Sequence, residues 1–288
     1  MTTWTKPASF AGQFYPGTPD RLNLRLEEFD RVIEESEEPT GGDVVGVLSP
    51  HAGYVYSGLT AARSFHYARE ADPETVVVLG LCHRLPLKGI SILQATSCET
   101  PLGTIGCDQQ FADLLSERCG FVSFNQEAHL SEHSVETQLP FVKRTFPEAK
   151  VVEILTQDDS RKLTESVGDA IAKTAQELDR RVLIVSSTDL SHYPPAAIAE
   201  EVDNQALEAL TTLDPVKGSA RVGQLEAEER PGFHCAVCSK AAVFTGMHAA
   251  IGLGADHGVL LGYMNSGMAP GGDTSRVVGY GAVAWEKG

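Results

Sequence analysis

Asp43 to Leu81 reads DVVGVLSPHAGYVYSGLTAARSFHYAREADPETVVVLGL, and this stretch decides the fold. Its two ends, DVVGVLS (43–49) and TVVVLGL (75–81), are short, β-branched and apolar on both faces, as strands covered on both sides must be. Between them SGLTAARSFHYAREA reads as a helix. Strand, helix, strand at this spacing is a βαβ unit, and such a crossover makes the two strands parallel.

The alternation extends in both directions. Thr18-Pro19-Asp20 places an N-cap, a helix-compatible proline and an early acid ahead of Leu22, Leu26, Phe29 and Ile33 at helical spacing. Downstream, ISILQA, KVVEIL and RVLIVSS (181–187) read as strands. DQQFADLLSERC, SVETQLPFVKRTF with an interruption at Pro140, and residues 160–178, 196–212 and 238–253 read as helices. GVLLGYM and RVVGYGAVAW close the chain as two strands joined by the glycine-rich NSGMAPGGDTS. With no repeat, low-complexity tract or linker, residues 1–288 read as one α/β domain with a mostly parallel or mixed central sheet flanked by helices.

Composition sets limits on function. Acidic residues outnumber basic ones 39 to 23 for a formal charge of −16, with no basic cluster, which argues against nucleic-acid and anionic-membrane partners. Apolar runs end well short of the roughly 20 residues needed to cross a bilayer. The N-terminal MTTWTKPASFAGQFYPG resembles no export signal, so a cytoplasmic location is expected. Six cysteines in 288 residues form no disulfide scaffold. Cys82, Cys98, Cys107 and Cys119 read as small core residues, whereas Cys235 and Cys238 form a lone CxxC.

Three histidines each follow a different strand: His51 after DVVGVLS, His83 after VVVLGL and His192 after VLIVSS. The carboxyl ends of parallel strands share one edge, where ligands bind, so these imidazoles should converge on one pocket together with Asp189. Imidazole and carboxylate there can ligate a metal or move protons. His133 opens the helix HSVE, and Glu136 one turn later could orient its ring. His66, His129, His234, His248 and His257 read as surface or structural. HExxH, Walker A, GxSxG and dinucleotide-loop patterns are absent.

The motifs KPASFAGQFYP, SPHAGYVYSG, LGLCHR, EHSVETQLPF, VSSTDLSHY and NSG…GDTSRVVGYGA, taken in order, resemble those of the Memo family over nearly the whole chain. The resemblance implies a fold similar to LigB-type class III extradiol dioxygenases, with nonheme iron(II) at the sheet edge. It implies metal ligands His51, His83, where the family commonly has PSHH, and Cys238. Around Cys238 this chain has Ser239 where the family's CGxxP segment has glycine and Ala242 where it has proline, so Cys235 stays open as an alternative. His133, Asp189 and His192 also match family motifs, and the resemblance implies His133 or His192 as the general base, with Asp189 orienting an imidazole.

The expected activity is dioxygenase-like oxidation of a small substrate by iron(II), with copper or zinc as alternative metals. A non-catalytic metal- or partner-binding scaffold and a zinc-dependent hydrolase are the competing readings. By resemblance, AMMECR-type and radical-SAM proteins are expected partners.

Overall fold

The computed structural model describes residues 4–288. The chain begins with β1 (Thr5–Lys6), α1 (Pro19–Glu35), β2 (Asp43–Ser49), α2 (Tyr54–Tyr67) and β3 (Thr75–Leu81). It continues through β4 (Ile90–Ile92), the hairpin β5 (Ser97–Thr100) and β6 (Gly103–Gly106), α3 (Gln109–Arg118) and β7 (Val122–Ser123). Three short helices follow, α4 (Gln126–Leu130), α5 (His133–Glu136) and α6 (Leu139–Thr145), then β8 (Lys150–Thr156), α7 (Arg161–Glu177) and β9 (Val182–Ser187). The remainder comprises α8 (Ala196–Thr211), α9 (Pro215–Ala227), α10 (Lys240–Gly252), β10 (His257–Asn265) and β11 (Gly279–Lys287).

Eight strands form a mixed sheet in the order β10-β11-β2-β9-β3-β8-β4-β7. The centre is parallel, β2 with β9, β9 with β3 and β3 with β8, and β11 and β4 flank it antiparallel. The central strands are covered on both faces, which is why their sequences show no alternation. One face packs Val76, Val78 and Val185 against Leu26, Phe29 and Phe65 of α1 and α2. The other packs Val77, Leu79 and Ile154 against Val167 and Ile171 of α7 and Ala249 of α10. Trp285 of β11 is fully buried, and its indole N–H donates to the Leu210 carbonyl of α8.

The βαβ reading therefore holds, and several details depart from the sequence expectation. The helix read across 134–146 is interrupted as expected, but the break falls before Pro140, between Glu136 and Leu139, because Pro140 in the first turn of α6 supplies no amide hydrogen to continue α5. The last strand starts at Gly279, not Arg276, because Val277 and Val278 instead pair with the loop at Tyr193 and His192. The helix α9 went unread, although Asp214-Pro215 is a start signal and the Asp214 carboxylate caps the amides of Val216 and Lys217. Helix α10 starts two residues later than expected, with Ser239 at its N-cap.

A second, three-stranded sheet, β1-β5-β6, was not anticipated. It fastens the N-terminal segment across the main sheet, and a buried ion network lies beneath it. Lys6 Nζ lies 3.3 Å from Glu153 Oε1 of β8 and 3.5 Å from Glu136 Oε2 of α5, all three side chains essentially inaccessible. Glu136 also accepts from the Ser9 and Phe10 amides and from the Tyr15 hydroxyl. His129 Nδ1 stands 3.4 Å from Glu153 Oε2, so His129 is a deeply buried structural histidine. Among the described residues, no helix is long and apolar enough to cross a membrane.

Candidate metal centre

Strands β2, β9 and β3 are neighbours, so the loops after their carboxyl ends must meet. Pro50 ends β2 and Gly53 is the N-cap of α2, leaving a tight link that holds His51 almost wholly buried. The loop after β3 brings His83, and the loop after β9 brings Asp189 and His192. A fourth contribution comes from the segment before α10: the Cys238 amide donates to the Asp189 carbonyl at 3.0 Å, and the Ser239 amide to Thr188 Oγ1 at 2.9 Å.

Within this edge the ring centroids of His51 and His83 lie 5.3 Å apart, those of His83 and His133 4.8 Å, and those of His51 and His133 5.4 Å. One donor atom each from His51, His83 and Cys238 falls within 4.8 Å of the others, and His83 Nε2 is 3.3 Å from Cys238 Sγ. The structure thus brings together the three residues named from the sequence as a ligand set. His83, Glu132 and His133 form a second cluster of the same kind that shares His83.

Neighbouring groups select the ring tautomers. The Ser187 hydroxyl donates to the Ser134 carbonyl at 2.6 Å, so its oxygen can only accept from His51 Nδ1 at 3.1 Å. The proton of His51 is therefore on Nδ1, and Nε2 carries the lone pair. Gln138 Nε2 also donates to Ser187, at 3.2 Å, and to the Pro50 carbonyl, at 2.9 Å. His83 Nδ1 faces the Glu132 carboxylate at 2.9 Å, an acceptor, which leaves the Nε2 lone pair of His83 directed at Cys238.

The electrostatics agree with this arrangement. Burial, followed by the neighbouring His83, lowers the His51 pKa to about 3, and burial with His51 lowers His133 to about 3, so both rings are neutral near pH 7. Burial alone would raise Glu132, but the hydrogen bonds from His83 and from the Ser134 amide outweigh it and hold the carboxyl at about 2. Burial, then Asp189, pushes the Cys238 thiol up, so a thiolate there needs a compensating cation. Burial, then Glu226, pushes the Cys235 thiol up to about 12.

The other candidates take different places. His133 lies at the site, but its carboxylate neighbour is Glu132 Oε1 at 3.2 Å rather than Glu136, which is committed to Lys6 and the N-terminal amides. Asp189 was expected to orient an imidazole; its Oδ1 instead accepts from the backbone amides of His51 and Ala52, and its Oδ2 stands 3.9 Å from His51 Nε2. His192 donates from Nδ1 to the Leu190 carbonyl and has Cys235 Sγ at 3.6 Å, so it sits with Cys235 on the flank, outside the donor cluster. Glu132 and Phe14, whose ring lies tilted against His133 at 4.5 Å between centroids, were missed. For Glu132 a signal existed: an acid just before His133, whose carboxylate caps the Ser134 amide.

A model of the Memo-like protein family matches residues 6–284. The chain belongs to the Memo-like family. A MEMO1 family protein of Methanopyrus kandleri is 34% identical over 285 residues, covering 96% of this chain and 98% of that protein. Relatives from Nitrosopumilus maritimus, 34% identical with 95% and 96% covered, and Methanocaldococcus jannaschii, 34% identical with 96% and 97% covered, are similar along their whole lengths. An uncharacterized protein from Escherichia coli K12 has a similar fold, with a TM-score of 0.55 and 14% identity over 84% of this chain and 99% of its own. The Memo-like match takes in every residue placed at the site, from the N-terminal aromatic segment to the loop before β11.

Proposed function

We propose that this Memo-like protein binds one transition-metal ion through His51 Nε2, His83 Nε2 and Cys238 Sγ, and uses it in oxidative chemistry on a small substrate. The observation that carries this reading is the donor set: two imidazoles whose Nδ1 atoms are occupied by Ser187 and Glu132, leaving two Nε2 lone pairs beside one thiol. Two nitrogens and one anionic sulfur on one side of an ion suit iron(II), and also copper or zinc. The Glu132–His83 pair has the carboxylate–histidine form that orients metal-ligating imidazoles. When bound, iron(II) would supply open positions for substrate and dioxygen and the electrons to activate the latter.

The remaining roles belong to the chain. His133, neutral and backed by Glu132, takes a proton from the substrate at Nε2, and the carboxylate offsets the imidazolium that results. His192, with its Nδ1 proton committed to the Leu190 carbonyl, keeps the lone pair on Nε2 as an alternative proton acceptor. Asp189 holds the His51 loop in place through two amides. Phe10 and Phe14 form an apolar wall against His133.

The test is anaerobic purification with metal analysis, followed by oxygen-uptake assays with phenolic substrates. About one iron per chain and substrate-dependent oxygen uptake supports the proposal. Stoichiometric metal without oxygen uptake across the panel favours a binding scaffold, and stoichiometric zinc with hydrolytic activity favours a hydrolase.

A further inference from the structure

Two arginines at the rim of the site lack an acid partner in a chain with 39 acidic residues. Arg84 directly follows His83, and its guanidinium carbon lies 5.7 Å from the centroid of the Phe10 ring, which is itself 5.8 Å from that of His133. Arg276, in the loop before β11, lies 4.2 Å from the centroid of Tyr193, whose ring packs edge-on against His192 at 5.4 Å. Among the described residues, neither guanidinium has a carboxylate within ion-pair distance or a hydrogen bond. Elsewhere Arg63 pairs with Glu38, Arg144 with Asp30 and Arg230 with Glu228; among the described residues Arg21 and Arg31 on α1 and Arg221 on α9 also lack an acid, so it is the position of Arg84 and Arg276 beside His83 and His192 that sets them apart.

The backbone beneath Arg276 supplies an independent sign. Tyr193 has φ +72°, a left-handed conformation that is unusual for a bulky side chain and tends to persist at functional positions. It is held by the hydrogen bond from the Tyr193 amide to the Val277 carbonyl at 2.7 Å and by the bridge between His192 and Val278. Gly232 packs so closely on the other side that a Cβ there would come within 2.7 Å of the Tyr193 carbonyl oxygen. The result is a partly exposed aromatic ring beside His192 that orients a guanidinium without neutralising it. A guanidinium held that way keeps N–H groups free for the paired oxygens of an oxyanion.

We propose that Arg84 and Arg276 bind the anionic group of the molecule handled by this site, so that its ligand is a small carboxylate- or phosphate-bearing compound. The oxyanion docks at the rim, on the His83 and His192 flanks, and the rest of the ligand reaches inward. What it reaches rests on the metal-site reading; the arginine contacts themselves require no metal.

Calorimetric titration of metal-free and metal-loaded protein with benzoate, phenyl phosphate and neutral benzamide tests this. The proteins compared are wild type, Arg84→Gln, Arg276→Gln and, as a control on α1, Arg31→Gln. Benzoate or phenyl phosphate should bind the metal-free wild type about tenfold or more tightly than benzamide. Each rim substitution should weaken that binding about tenfold while leaving metal content unchanged, and the control should match wild type. The tighter of the two anionic probes identifies the oxyanion.

Equal binding of benzamide, or undiminished anion binding in both rim variants, overturns the proposal. Anion binding confined to metal-loaded protein and indifferent to the arginines places the anion on the metal and overturns it too. A wild type that takes up no metal yet binds anions through the arginines upholds the rim assignment and overturns the metal reading.

Discussion

Glu132 Oε1 lies 2.9 Å from His83 Nδ1, and its partner oxygen accepts the His83 backbone amide at 2.6 Å, so one buried carboxylate grips a single histidine twice. That grip fixes both the ring's tautomer and its direction. Glu132→Gln keeps the volume but removes the charge, and should weaken metal binding by about 10- to 100-fold. Competition with a chelator of known affinity measures it, and unchanged affinity would remove Glu132 from the supporting shell.

The imidazoles themselves should matter more. His51→Ala and His83→Ala each delete a donor from a loop at the sheet edge rather than from the packed layers. Both variants should purify folded, with wild-type circular dichroism, and with metal content near zero. Metal content equal to wild type in both would exclude these ligands.

The two cysteines should separate in alkylation mapping. Cys238 Sγ faces His83 Nε2, whereas Cys235 Sγ faces His192 Nδ1. Metal should therefore protect Cys238 and leave the modification rate of Cys235 unchanged. Protection of Cys235 alone would transfer the thiol role to it.

Lys6→Met tests the buried ion network. It leaves Glu136 and Glu153 in the interior without their cation, which should cost about 3–5 kcal/mol in urea unfolding. A change below about 1 kcal/mol would mean that the two carboxyls are neutral or solvated.

Two buried carboxyls should drive stability in opposite directions with pH. Burial alone would raise Glu153, but Lys6 and His129 outweigh it and hold the pKa at about 2, below its ordinary 4.5. The unfolded chain therefore binds this proton first, and the contribution of Glu153, complete above pH 4.5, is lost as pH falls from 4.5 towards 2. Asp203 is raised from 3.8 to about 7 by burial, against the hydrogen bonds from Ser191 and Tyr263. Its contribution is complete below pH 3.8 and is lost as pH rises through 7. Asp203→Asn should flatten the stability profile between pH 4 and 7 while leaving the acid limb in place. An unaltered slope in that range would show that Asp203 does not titrate there.

The amino-acid sequence by itself determined the βαβ core, because DVVGVLS, TVVVLGL and VLIVSS are apolar on both faces and the intervening segments have helical spacing. It also determined that His51, His83 and Asp189 share one edge, since parallel strands align their carboxyl ends. Only the tertiary structure decided which carboxylate serves which imidazole. Local spacing pairs His133 with Glu136, but Glu136 is drawn away by Lys6, a residue 130 positions earlier that reaches it through the β1–β5 pairing, and Glu132 turns to the site. The same holds for the rim. Nothing in the sequence near Arg276 announces Tyr193, because the contact depends on a loop pairing between residues 192–193 and 277–278. Hydrophobic periodicity is a local property that a sequence displays directly. Partner choice among buried charges is settled by long-range competition, which exists only once the chain has folded.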